Sequence, residues 1–292
     1  GLPKRQNVPR NKLRHISSKS LGESCQRVIF SPMEPGDGRP FETVTLYGVP
    51  FAKMDMRRTV EYLTRAVESR RPHRVVTGNP IMVMAGLRDP AFRRAIATAD
   101  LVVPDGTGIV WAARRVGRPL PERVAGYDLM HELLKAGDDR GWKVYLLGAA
   151  QDVVEAAAAN LARQYPGVHI VGWRNGYFSD EDDDGVVEDI RRAAPDLLFV
   201  ARSLTRQEPW LARHGERLGV PVMMGVGGSF DVIAGKLRRA PAPFRRLGLE
   251  WLFRLLQEPR RIGRMTVLPV FALKVLRDGE KALRDPESGR ET

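Results

Sequence analysis

An apolar run, Leu101-Val102-Val103-Pro104, leads directly into Asp105 and then Gly106-Thr107-Gly108. A carboxylate at the end of a strand, partly shielded from water, can take the proton of an attacking alcohol. The glycines beside it let backbone approach a ligand closely. The same Asp-Gly pair also serves as a turn or helix cap, so residue types alone leave both uses open. A second junction has the same form. Val75-Val76-Thr77-Gly78-Asn79 brings a hydroxyl and an amide, from Thr77 and Asn79, to the start of the next helix. Capping is the ordinary duty of both residue types there.

Two small-residue loops suit anionic ligands. Leu146-Leu147-Gly148-Ala149-Ala150 precedes a helix from Asp152, and such a helix N-terminus suits a phosphate or ribose. The loop Gly225-Val226-Gly227-Gly228-Ser229-Phe230-Asp231 repeats the arrangement, with Asp231 placed to hold a ribose or to cap the following helix. Neither loop is a dinucleotide fingerprint or a Walker sequence, so NAD and ATP have no supporting motif. Asp182-Asp183-Asp184 has the acidic spacing of many metal-dependent sugar-nucleotide enzymes. Its place in the first helical turn after Ser179 reads instead as a solvated acidic cap. His15, His73, His131, His169 and His214 are scattered and lack cysteine partners, so neither a metal nor a cofactor is expected.

These residues need strands and helices to position them. From Thr43 onward, short β-branched runs alternate with amphipathic stretches. Strands are predicted at 43–46, 73–77, 101–103, 143–147, 168–171, 197–200 and 220–224. Helices are predicted at 55–69, 80–97, 108–116, 127–136, 152–165, 180–193 and 207–218. This alternation predicts an α/β fold, a mainly parallel sheet with helices on both faces. Ligands of such folds lie beyond the carboxyl ends of the strands, where Thr77, Asn79, Asp105, Gly148 and Gly227 fall. Residues 243–277 show only helical spacing, broken at Pro259, and end in the apolar stretch Met265–Leu276. That stretch suits either an anionic bilayer surface or packing on the sheet.

The chain of 292 residues has a net charge of +12, unevenly spread. Residues 1–20 hold six bases and no acid, and 236–277 hold eleven bases against two acids, leaving the rest at −3. Two basic ends on a near-neutral body point to an anionic partner. No aromatic-interleaved basic platform accompanies them, which argues against nucleic acid. The single cysteine, Cys25, excludes a disulfide framework. No apolar run of about 18 residues spans a bilayer and none at the N-terminus reads as a signal peptide, so a cytoplasmic protein is expected. Residues 1–40 read as a disordered basic tail in which Met33 offers an alternative start.

Taken in order, the motifs resemble those of the WecG/TagA/CpsF family of bacterial glycosyltransferases over roughly residues 43–277. Thr77-Gly78-Asn79 is similar to its V-T-x-N, Asp105-Gly106-Thr107-Gly108 to its D-G-x-G, and Arg123–Leu129 to its R-V-x-G-x-D-L. Gln207-Glu208 and Val226–Lys236 are similar to its P-K-Q-E and G-V-G-x-x-F-D-x-x-A-G-K. Arg239-Ala240-Pro241, Gly248–Leu252, Arg254-Leu255 and Glu258-Pro259-Arg260 match its C-terminal run. One segment departs: Arg202-Ser203-Leu204-Thr205-Arg206 stands where the family has L-G-x-P-K.

The resemblance implies a Rossmann-like fold of the GT-E type, with a catalytic domain at 41–238, a basic membrane-binding appendage at 239–280 and a polar tail at 281–292. It implies inverting, metal-independent transfer of N-acetylmannosamine, or its uronic acid, from a UDP donor to undecaprenyl-diphosphate-linked N-acetylglucosamine. Asp105 would be the base, with Thr77, Asn79 and Arg123 beside it. Arg123 and Gln207 would contact donor or acceptor, Tyr177 would stack on uracil and Asp231 would hold the ribose. Gly148 and Gly227 would line the substrate loops, and Arg254, Arg261 and Arg264 would bind the lipid diphosphate or leaving group. The partners implied are a UDP-sugar, a polyprenyl-diphosphate lipid and an anionic membrane, at the inner face of the cell membrane. A homo-oligomer is compatible with all of this. The competing readings are a glucose- or galactose-type UDP donor, a non-catalytic anionic-surface binder, and a dehydrogenase lacking its fingerprint.

Overall fold

The computed structural model describes residues 38–286. The tail up to residue 37, with Cys25 and Met33, and the residues beyond 286 lie outside the described part. Phe41 opens the compact unit that contains every element below.

The first two strands, β1 (Thr43–Leu46) and β2 (Val49–Ala52), form an antiparallel hairpin with Leu46 opposite Val49. Tyr47 and Gly48 join them at φ 51° and 82°, the pair of positive values that a type I′ turn requires. Sequence reading found β1 and missed β2. Tyr-Gly is a weaker hairpin signature than Asn-Gly, and Pro50 argues against a strand.

Six further strands form one parallel sheet: β3 (His73–Gly78), β4 (Leu101–Pro104), β5 (Lys143–Gly148), β6 (His169–Arg174), β7 (Leu197–Ala201) and β8 (Val222–Gly225). Their order is β4-β3-β8-β7-β5-β6. β4, β7 and β8 are buried along their whole length, as a parallel sheet covered on both faces demands. Alternate residues feed opposite cores. Val75, Val103, Leu146 and Phe199 face one cluster, while Val76 and Val102 face a second and Leu147 and Val200 a third. Period-two alternation makes this division.

The helices α1 (Met56–Ser69), α5 (Gly126–Asp138) and α6 (Gln151–Gln164) cover the first core. The stretch 80–97, expected as one helix, is two: α2 (Pro80–Arg88) and α3 (Pro90–Ala97). Pro90 disfavours helical backbone at Asp89, whose side chain accepts the Ala91 and Phe92 N–H groups and starts α3. With α4 (Thr107–Arg115), these cover the second core. The third lies under α7 (Asp183–Ala193) and α8 (Leu204–Leu218).

Beyond β8 come α9 (Ser229–Ile233), α10 (Ala242–Arg246), α11 (Glu250–Gln257), α12 (Ile262–Met265) and α13 (Val267–Asp278). α10, α11 and α12 bury no residue. α13 buries Phe271 and Val275 in the same core as Val83 and Ile109, while Val270, Leu273 and Leu276 stay exposed. The apolar stretch therefore has one face in the core and one face outside. Tyr47 OH donates to Asp278 at 3.1 Å and ties the hairpin to the end of α13. No described helix is long and apolar enough to cross a membrane.

Candidate active site

A cavity of about 960 Å³ lies at the carboxyl ends of β3, β4, β7 and β8, where ligands of open parallel sheets bind. Thr77, Asn79, Asp105, Arg123, Tyr177, Gln207, Gly227, Asp231, Arg254, Arg261 and Arg264 all line it. Gly148 does not; its neighbours Ala149 and Ala150 stand in the wall instead. Gly148 ends β5 at φ +126°, and a Cβ there would strike the Ala201 backbone. That glycine serves the close approach of two strand ends.

Asp105 follows β4, and its N–H donates to the Gly78 carbonyl at 2.8 Å. The β3–β4 ladder thus sets where the carboxylate leaves the sheet. Gly126, the first residue of α5, donates its N–H to that carboxylate. A Cβ on Gly126 would collide with Thr77 Cγ2 at 2.8 Å and crowd Asp105 Oδ2 at 3.3 Å. The missing side chain is what lets α5 come this close.

Arg123 Nη2 stands 3.6 Å from Asp105 Oδ1 and 2.7 Å from Glu250 Oε2. Burial raises the Asp105 carboxyl above its ordinary value; Arg123 and the Gly126 N–H oppose the rise, and Glu250 and Asp128 add to it. A carboxylate made more basic inside a cavity is suited to accept a proton.

The neighbouring groups are anchored in place. Thr77 Oγ1 donates to the Gly225 carbonyl at 3.3 Å, between β3 and β8. Asn79 caps α2, its Oδ1 accepting the Met82 N–H at 3.1 Å. Its amide nitrogen is then the end left for a ligand. Gln207 is buried; its Nε2 donates to Glu208 Oε1 at 2.8 Å and its Oε1 accepts the Gly227 N–H at 3.3 Å. Gln207 thereby fastens α8 to the glycine loop after β8. Burial pushes the Glu208 carboxyl up to about 7, against the Gln207 hydrogen bond and the charge of Arg74. The segment that departs from the family pattern forms the start of α8, with Ser203 at the N-cap. Arg202 there lies 4.0 Å from the Phe178 ring. Tyr177 is 80% exposed, which leaves its ring free to stack.

Arginines form another wall. Arg254 Nε donates to Glu258 Oε2 at 3.3 Å, and Arg261 Nε forms an ion pair with the same oxygen at 2.7 Å. Arg254 Nη2 is buried against Gly228 without a hydrogen-bond partner. Burial first, and Arg261 second, lower its guanidinium. Spaced by seven and three, Arg254, Arg261 and Arg264 would share one helical face only if Pro259 merely kinked the path. They stand instead on α11, on a 3₁₀ turn at Pro259–Arg261 and on α12, since Pro259 cannot continue the ladder.

The acidic triplet is divided in its uses. Ser179 N–H and Oγ both bond Asp182 Oδ2 at 3.0 Å, a cap as expected. Asp184 is exposed and pairs with Arg217 at 2.6 Å. Asp183 departs from the solvated-cap reading. It is buried and bonds Trp210 Nε1 at 2.8 Å and His214 Nε2 at 2.9 Å, joining α7 to α8. Among the described residues, no group of three or more His, Cys, Asp or Glu side chains is arranged to hold a metal ion.

Sequence reasoning gave no role to Asp128, Arg239 or Glu250, which all line the cavity. Arg239 pairs with Asp128 and lies 4.6 Å from the Tyr127 ring. Each stands inside a motif already singled out. The pairings, however, join residues 111 and 127 positions apart, and spacing carries no signal at that range.

A family profile described as the glycosyl transferase WecG/TagA/CpsF family matches residues 44–285. A Staphylococcus aureus (strain MW2) protein is 38% identical over 240 residues, covering 82% of this chain and 94% of its own length. Its name is N-acetylglucosaminyldiphosphoundecaprenol N-acetyl-beta-D-mannosaminyltransferase. A Bacillus spizizenii protein of the same name is 33% identical over 246 residues, 84% of this chain and 95% of its own.

Proposed function

The chain belongs to the WecG/TagA/CpsF family of glycosyl transferases, and from that premise we propose which sugar it moves and how. The donor is UDP-N-acetylmannosamine or its uronic acid, and the acceptor is N-acetylglucosamine on an undecaprenyl-diphosphate lipid. Relatives carrying that acceptor and sugar in their names support the choice. The observation that carries the chemistry is Asp105, a carboxylate raised by burial in the same cavity as an unpartnered guanidinium nitrogen of Arg254.

Transfer is a single inverting displacement. The acceptor hydroxyl oxygen bonds to the anomeric carbon, the bond to UDP breaks with its electron pair leaving on the diphosphate, and the proton passes to Asp105. Arg254, Arg261 and Arg264 compensate the charge growing on the departing diphosphate, work that a metal ion does elsewhere. Thr77 and Asn79 orient the reacting sugars beside the base. Tyr177 stacks on uracil and Asp231 accepts from the ribose.

Residues 41–238 carry the base and the residues beside it, and 239–280, which supply Arg254, Arg261 and Arg264 to the same cavity, form a basic helical appendage that meets the inner face of the membrane peripherally. Exposed Leu247, Leu256, Ile262, Leu273 and Leu276 stand among Arg260, Arg264 and Arg277, the composition of a surface that rests on anionic lipid.

The test is release of UDP from UDP-N-acetylmannosamine by the purified chain with a polyprenyl-diphosphate N-acetylglucosamine acceptor, with and without EDTA. Acceptor-dependent release with little effect of EDTA is expected. Equal turnover of UDP-glucose or UDP-galactose would move the donor to that class. Co-sedimentation with anionic vesicles and not with neutral ones is expected for the membrane contact.

A further inference from the structure

We propose that Glu250 is a positioning residue: it holds Arg123 off Asp105 and so preserves the strength of the base. The role as base rests on the reading of the preceding subsection.

Arg123 lies between two carboxylates and is committed to one. Its Nη2 makes a hydrogen bond of 2.7 Å to Glu250 Oε2, whereas 3.6 Å to Asp105 Oδ1 is a contact of charges without a hydrogen bond. Its Nε is buried and unpartnered, so the guanidinium fork is not closed on either carboxylate. Arg123 remains charged. Burial alone would lower it, but the Glu250 hydrogen bond and the charges of Asp105, Glu250 and Asp128 outweigh burial and raise it.

Without Glu250, the nearest carboxylate left to that guanidinium is Asp105. A bidentate fork on Asp105 would stabilise its anion and weaken it as a proton acceptor. Glu250 therefore acts twice, by its own negative charge and by occupying Arg123. The other charged groups around Asp105 do not substitute for it. Asp128, on α5, is paired with Arg239, and the Gly126 N–H acts in the opposite sense.

The placement of Glu250 comes from outside the sheet. It is the first residue of α11, and Thr107 Oγ1 donates to the carbonyl of Gly248, two residues earlier, at 3.4 Å. The strength of the base thus depends on a helix that arrives 127 residues after Arg123.

Glu250→Gln keeps the size and removes the charge at a partly exposed position, so the variant should fold. The full chain labelled with carbon-13 aspartate, its Asp105 carboxyl signal identified by loss in Asp105→Asn, is titrated by NMR without substrate. In Glu250→Gln the Asp105 midpoint should fall by about one pH unit. Glu250→Asp, which retains the charge, should lie between the two. A midpoint in Glu250→Gln equal to wild type overturns the proposal. With the substrates proposed above, the acid limb of kcat should move in the same direction and the plateau fall on the order of threefold. A fall in kcat with the limb unmoved would mark a merely structural role and also overturn it. The titration needs no substrate, so a wrong donor or acceptor leaves it readable.

Discussion

Two walls of one cavity are built on different principles. On the sheet side, Asp105 and Thr77 leave adjacent parallel strands, and α5 presses a glycine against both. On the helical side, Arg254, Arg261 and Arg264 stand on α11, a 3₁₀ turn and α12, which bury no residue, and Glu258 braces the first two. Strand ladders and close packing hold a group to a fraction of an ångström. Partly exposed ion pairs hold it loosely and weaken with salt. On the proposed mechanism, the difference gives precision to the proton transfer and adaptability to the leaving group. A diphosphate tolerates several arrangements of arginine, whereas a base must meet one hydroxyl.

The largest expected effect lies on the sheet side. Asp105→Asn should lower turnover by about 10²–10⁴-fold with UDP affinity and thermal midpoint close to wild type, measured by UDP release and calorimetry. Retained turnover would remove the base from the sheet wall and dissolve the contrast. On the helical side, Arg254→Ala should cost about 10²-fold in kcat. Arg264, exposed on α12, should cost less than about tenfold. Equal losses would mean that burial of Arg254 Nη2 carries no special weight.

Gly126→Ala probes the precision of the sheet wall directly. The added methyl displaces Thr77 and Asp105 without changing any charge, so kcat should fall about tenfold while donor KM stays within about twofold. A variant as active as wild type would show that the wall yields.

The smallest effect concerns Glu208, under the loop that joins the two walls. Its folded carboxyl titrates at about 7 against an ordinary 4.5, so the folded state favours the protonated form. The stability present below the ordinary value is lost as pH rises towards the folded one. Glu208→Gln has no such loss. In urea unfolding it should match wild type near pH 4.5 and exceed it by about 1–3 kcal/mol at pH 8.

The appendage also shows where local pattern stops being informative. Its helices were readable from spacing, yet Met265–Leu276 suited a bilayer and a core equally. The structure divides the stretch, with Phe271 and Val275 in the core and Leu273 and Leu276 outside. Removing the whole segment would strip that core, so point substitutions are the cleaner probes of the arginines. Asp183 gives the same lesson in reverse. Beside two acids that behave as a cap, it turns inward because Trp210 and His214, on another helix, supply its hydrogen bonds.

Short apolar runs ending in Thr77-Gly78-Asn79 and Pro104-Asp105-Gly106, each followed by a helical period, were enough to predict a parallel α/β sheet with its candidate site at the carboxyl edge. Those are local properties, set by the side-chain alternation of a strand and the capping of a helix. The family followed from the order of the motifs. Strand order, the burial that raises Asp105 and Glu208, and the pairing of Arg123 with Glu250 belong to the tertiary structure alone. Desolvation and Coulomb energy depend on distance in space: Glu250 lies 127 residues beyond Arg123 along the chain, yet the two side chains stand 2.7 Å apart.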